Sequence, residues 1–66
     1  MKATIYGKTK SNKEYKKELV VTDYGSDWFE YEFVGGWKLI RDLNDGFILV
    51  SPAFKFMAIN CSIELS

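Results

Sequence analysis

Residues 28–51 read WFEYEFVGGWKLIRDLNDGFILVS, and two glycine-containing turns divide them into three runs of alternating polarity. The first turn is Gly35-Gly36. Adjacent glycines accept positive φ without steric cost, as a two-residue hairpin turn demands. Closing the chain there sets Tyr31 opposite Ile40, Glu32 opposite Leu39, Phe33 opposite Lys38 and Glu30 opposite Arg41. The last is an opposite-charge pair across two strands, which favours that register. The second turn is Asn44-Asp45-Gly46. It suits a type I turn followed by glycine in the left-handed region, with a G1 bulge. It sets Leu43 opposite Phe47, Arg41 opposite Leu49 and Ile40 opposite Val50. The stretch is therefore predicted to form a three-stranded antiparallel meander. The whole chain, 1–66, is predicted to be a single small all-β domain of about five or six short antiparallel strands, in a curved sheet or a small open barrel. SH3-like, OB-like and dimeric-sandwich arrangements all satisfy this pattern.

Upstream, two readings compete. A loop at Ser11-Asn12-Lys13 makes a hairpin in which Ile5 faces Leu19, Ala3 faces Val21 and Gly7 faces Lys17. Alternatively, Ser11-Asn12-Lys13-Glu14 matches a capping box. With Tyr15 and Leu19 one helical turn apart, that gives a short helix near 12–19. Downstream, Pro52 suits a sheet edge or the start of a strand. Phe54 and Phe56 then alternate in one phase, and Met57, Ile59, Cys61, Ile63 and Leu65 in the other. The change of phase predicts a bulge near Met57-Ala58 and a last strand bent between two neighbours.

Composition narrows the function. The chain has no histidine and one cysteine, Cys61. A disulfide within the chain and a Cys/His zinc site are both excluded. Asp23, Asp27, Glu30 and Glu32 lack the spacing of a calcium loop and read as turn and cross-strand carboxylates. Gly25 and Gly35-Gly36 are followed by no Gly-Lys-Ser/Thr, so no phosphate loop is present. No catalytic, cofactor-binding or metal-binding residue is expected. The chain opens without an apolar signal segment and has no membrane-length apolar run, which together with the lone cysteine points to the cytoplasm.

A chain this short buries little core, so two Trp, four Tyr and five Phe carry much of the apolar content. On the expected register, one face of the meander presents Phe29, Tyr31, Phe33, Ile40, Ile48 and Val50. The other presents Trp28, Val34, Trp37, Leu39, Leu43, Phe47 and Leu49. Two apolar faces on one small sheet imply that something covers the second. The expected protein-binding or dimer surface is Trp28, Val34, Trp37, Leu39, Leu43 and Phe47, with homodimerisation as the simplest cover. The chain then reads as a non-catalytic protein-binding module, a small cytoplasmic regulator or inhibitor of the kind a phage or other mobile element carries.

Charge suggests an alternative. The net formal charge is zero, but residues 1–18 hold six lysines against two glutamates. Lys8, Lys10, Lys13, Lys16 and Lys17, with Tyr6 and Tyr15 beside them, are candidate nucleic-acid contacts, cations for phosphates and rings for bases. The same lysines also serve as the guard charges of a solvated hairpin.

Overall fold

The computed structural model describes residues 1–43 and 46–66. Six strands follow in order: β1 Lys2–Lys8, β2 Glu14–Tyr24, β3 Tyr31–Phe33, β4 Lys38–Arg41, β5 Phe47–Val50 and β6 Met57–Leu65. Each pairs antiparallel with its predecessor, and β6 returns to β1, so the sheet closes into a barrel. The all-β expectation holds. Closure is what a small domain gains from strongly curved strands, because it removes sheet edges and seals one sheet face against itself.

The core is the inside of that barrel: Ala3, Ile5, Phe33, Leu39, Leu49, Ala58 and Cys61, flanked by half-buried Tyr15, Leu19, Val21, Tyr31, Trp37, Phe47, Phe56 and Ile63. The inward residues alternate along β1 and β2, as a barrel wall requires. This alternation decides residues 12–19 against a helix. They run from a loop into β2, with Tyr15 and Leu19 turned toward the core.

Three registers differ from expectation. In the β3–β4 hairpin Tyr31 faces Leu39 and Glu32 faces Lys38. Phe33 N–H donates to the Trp37 carbonyl at 2.9 Å and Gly36 N–H to the Phe33 carbonyl at 3.2 Å, leaving a three-residue loop. Both Gly35 and Gly36 have positive φ, 87° and 89°. A one-residue slip exchanges faces. The expected register would have put Leu39 and Glu32 on the same side. The observed one buries Tyr31, Phe33 and Leu39 together and leaves Glu32 and Lys38 outside as an ion pair of 3.3 Å. Avoiding a buried carboxylate settles the choice. The expected Glu30–Arg41 ion pair forms, at 3.1 Å.

The other two hairpins slip by two residues, which keeps the faces and so escapes a polarity reading. Ala3 faces Leu19, Ile5 faces Lys17 and Gly7 faces Tyr15. The loop closes at Thr9 and Lys13, with Asn12 left-handed at φ 65°. Asparagine tolerates that region better than other side chains, so the loop sits one residue earlier than expected. In β4–β5, Arg41 faces Phe47 and Leu39 faces Leu49. Asp42 N–H donates to the Gly46 carbonyl at 2.8 Å, so the expected Leu43–Phe47 pair is absent. Asn44 and Asp45 of the expected turn lie outside the described residues.

The last strand bends between β5 and β1 as expected, but its irregularity is at Ile59-Asn60 rather than Met57-Ala58. Asn60 has φ 53°, and Ala58 and Cys61 both turn inward.

Candidate binding surfaces

Barrel closure divides the expected protein-binding set. Leu39 is 0% exposed and belongs to the core, so it is not offered at the surface. Trp37 and Phe47 are half-buried. Trp37 lies 6.2 Å from Phe56, which lies 4.8 Å from Tyr15, and Lys17 Nζ stands 4.7 Å over the Trp37 ring. Phe47 carries the Arg41 guanidinium at 5.2 Å. Val34 is exposed beside Val20 and Leu19, where a shallow depression also takes in Lys2 and Glu18. Leu43 is fully exposed in the β4–β5 loop. The six residues thus do not share a face. They are divided because the β3–β4 slip changes the register that put them together, and because barrel closure covers one sheet face from within.

Trp28 remains. The Gly25–Glu30 loop is pinned by Gly25 N–H to the Glu30 carbonyl, 3.1 Å, and by Glu30 N–H to the Leu39 carbonyl, 2.8 Å. Phe29 turns down and is buried outside the main core cluster. Trp28 meets it edge-on, centroids 5.5 Å apart, and stays 56% exposed. Lys38 Nζ stands 5.4 Å over the Trp28 ring while pairing with Glu32.

Facing Trp28 is the turn after β5. Sequence reading missed it as a site because Phe54 looked like part of a strand. Pro52–Phe54 form one 3₁₀ turn instead. Ala53 and Phe54 have φ of 58° and 54°, two successive non-glycine residues in the left-handed region. Each such residue costs about 1–2 kcal/mol. The turn survives because its ends are tied. Ser51 N–H donates to the Phe56 carbonyl at 3.0 Å, Phe56 N–H to Ser51 Oγ at 2.7 Å, and Phe54 N–H to the Ser51 carbonyl at 2.9 Å. The result holds Phe54 61% exposed. Between Trp28 and Phe54 lies a groove of about 240 Å³, floored by Val50, Ser51 and Pro52 and closed by Gly36 and Lys38. A β-carbon on Gly36 would stand 3.3 Å from Pro52 Cγ, so the hairpin packs tightly on the turn.

The candidate nucleic-acid residues also divide. Tyr6, Lys8, Tyr15 and Lys16 line one groove of about 450 Å³ with Gly7, Glu14, Asn60 and Ser62. Lys10 and Lys13 are exposed in the β1–β2 loop, and Lys17 is with Trp37 near Tyr15 and Phe56. Lys16 Nζ is 5.8 Å over the Tyr6 ring. The groove is not basic, however. Lys8 faces Glu14 across the strands, and the Tyr6 hydroxyl is hydrogen-bonded to Glu64, which raises its pKa above the ordinary phenol value. Burial pushes the Tyr15 hydroxyl and the Cys61 thiol up as well. A raised thiol pKa opposes nucleophilic use. Among the described residues no group of His, Cys, Asp and Glu could hold a metal ion, and no helix is long and apolar enough to cross a membrane.

No protein-family model matches the chain, and neither the curated proteins nor the solved structures contain a significant match to it.

Proposed function

We propose that this chain is a non-catalytic protein-binding module whose working surface is the groove between Trp28 and Phe54. One observation carries the reading: two large aromatic side chains stand in solvent on either side of an apolar groove, one of them on a backbone strained to keep it there. Strain of this kind is retained where a ligand is clamped, and exposed tryptophan is the residue type that most often anchors an interface. Leu39 and its neighbours are covered within the chain, so no second copy is needed to cover them. A homodimer becomes one outcome of the partner test. A role as a small cytoplasmic regulator or inhibitor fits the same surface.

A second reading has its own observation: Tyr6, Lys8, Tyr15 and Lys16 meet in one groove of about 450 Å³. Nucleic acid is disfavoured there because Glu14 and Glu64 stand among those cations.

The test is affinity capture from the source cell with two variants. Trp28→Ala should weaken capture by about 2 kcal/mol or more, as loss of a hot-spot side chain does. The combined Lys8→Glu, Lys10→Glu, Lys13→Glu and Lys16→Glu variant should capture as well as the parent. Labelled oligonucleotides should show no submicromolar binding at 50 or 200 mM salt. Capture indifferent to Trp28, or salt-steep oligonucleotide binding that the lysine variant loses, overturns the proposal.

A further inference from the structure

We infer that the occupant of the Trp28–Phe54 groove is a polyproline II segment carrying a basic residue. This rests on the reading of that groove as the docking surface and specifies the chemistry of what docks. Extended and helical segments are bound in few ways. Strand addition needs an unpaired sheet edge, but the groove lies against β4 and β5, which pair with each other and, on their outer sides, with β3 and β6. An amphipathic helix needs apolar anchors over two turns, a trough about 10 Å long. The groove instead encloses only about 240 Å³, with two exposed rings and Lys38 in its lining. A polyproline II segment needs neither an edge nor a long trough. It presents rings at a three-residue repeat to aromatic ridges, and its backbone is ordered before binding. The tied turn that carries Pro52 and Phe54 supplies the matching rigidity on this side.

Charge chooses the residue beside the prolines. Trp28 also walls a second depression, lined by Ser26, Asp27, Glu30 and Arg41. Arg41 engages Glu30 and Lys38 engages Glu32, which leaves the Asp27 carboxylate without an ion pair among the described residues. A cationic side chain in that second depression, away from Lys38, stands beside both Trp28 and that carboxylate. A phosphate at the same place meets repulsion.

The experiment is fluorescence anisotropy with three dye-labelled ten-residue peptides. They are polyproline with one internal arginine, the same with glutamate for arginine, and a Gly/Ser chain with the arginine. The first should bind at least tenfold tighter than the third and at least threefold tighter than the second. Trp28→Ala and Phe54→Gly should each weaken the first at least tenfold, the glycine variant doing so while keeping the turn's backbone. Asp27→Asn should erase the preference for arginine, weakening the arginine peptide and relieving the repulsion on the glutamate peptide. Equal binding of the proline and Gly/Ser peptides overturns the inference. So does a Trp28-dependent dimer in sedimentation, which would place a second copy in the groove. If cellular capture depends on Trp28 while the peptides bind alike, the docking surface stands and this occupant falls. If capture also ignores Trp28, both fall.

Discussion

Gly7 and Cys61 occupy one crowded point inside the barrel. A β-carbon on Gly7 would lie 2.5 Å from Cys61 Sγ and 3.0 Å from the Ile59 carbonyl oxygen. Gly7→Ala should therefore destabilise the chain by about 1–3 kcal/mol, as overpacking does. Because the closest atom is the sulfur, Gly7→Ala with Cys61→Ala should lose less than the two singles together in urea unfolding. Strict additivity would mean the clash lies elsewhere. The same thiol predicts a pH effect. Its pKa is raised in the folded chain by burial, so the unfolded chain loses its proton first. Stability is then whole below about pH 9 and declines as pH rises toward the folded value. Tyr15 adds the same sign at higher pH. Urea midpoints from pH 7 to 10 should fall more steeply for the parent than for Cys61→Ala, and parallel curves would contradict this. The sequence showed Cys61 as an apolar-strand residue. It did not show the crowding with Gly7, because the β6 bulge that brings the two together is set by Asn60 in the left-handed region.

At the scale of elements, the turns carry both the successes and the errors. The positive φ at Gly35 and Gly36 was legible, since only glycine enters that region without cost. The loop length was not, because two- and three-residue turns both accept Gly-Gly. The choice between them came from keeping Glu32 out of the core. The Pro52–Phe54 turn left no sequence signal beyond its proline, because nothing in Ala53 or Phe54 advertises a left-handed backbone. That strain is measurable. Ala53→Gly removes about 1–2 kcal/mol of it against a glycine entropy cost of about 0.4–1 kcal/mol. The variant should therefore be more stable by about 0.5–1 kcal/mol in chemical denaturation. A loss of stability would show that Ala53 is unstrained. Barrel pairing was legible in kind, from alternating polarity along β1 and β2, while two-residue slips left no trace in polarity because they preserve the faces.

Across the whole molecule, closing the sheet changes which apolar residues are available to a partner. The expected contact set mixed core with surface: Leu39 is inside, Trp37 and Phe47 are half-covered, and Trp28 alone is joined by a second exposed ring across a groove. The charge division between the two ends of the sequence also takes a spatial meaning. Lysines of the first hairpin are interleaved with Glu14 and Glu64. Around Trp28 the cations Lys38 and Arg41 are engaged, and Asp27 has no ion pair among the described residues. The proposed working surface is therefore at Trp28, away from the lysines. The two tryptophan indole N–H signals report on this directly, one from each candidate region. In ¹H–¹⁵N spectra recorded while captured partner is titrated in, the Trp28 indole should shift or broaden, together with the Phe54 amide, while the Trp37 indole and the Tyr6, Lys8 and Lys16 amides stay in place. Shifts confined to Trp37 and the first hairpin, with Trp28 unmoved, would contradict the account.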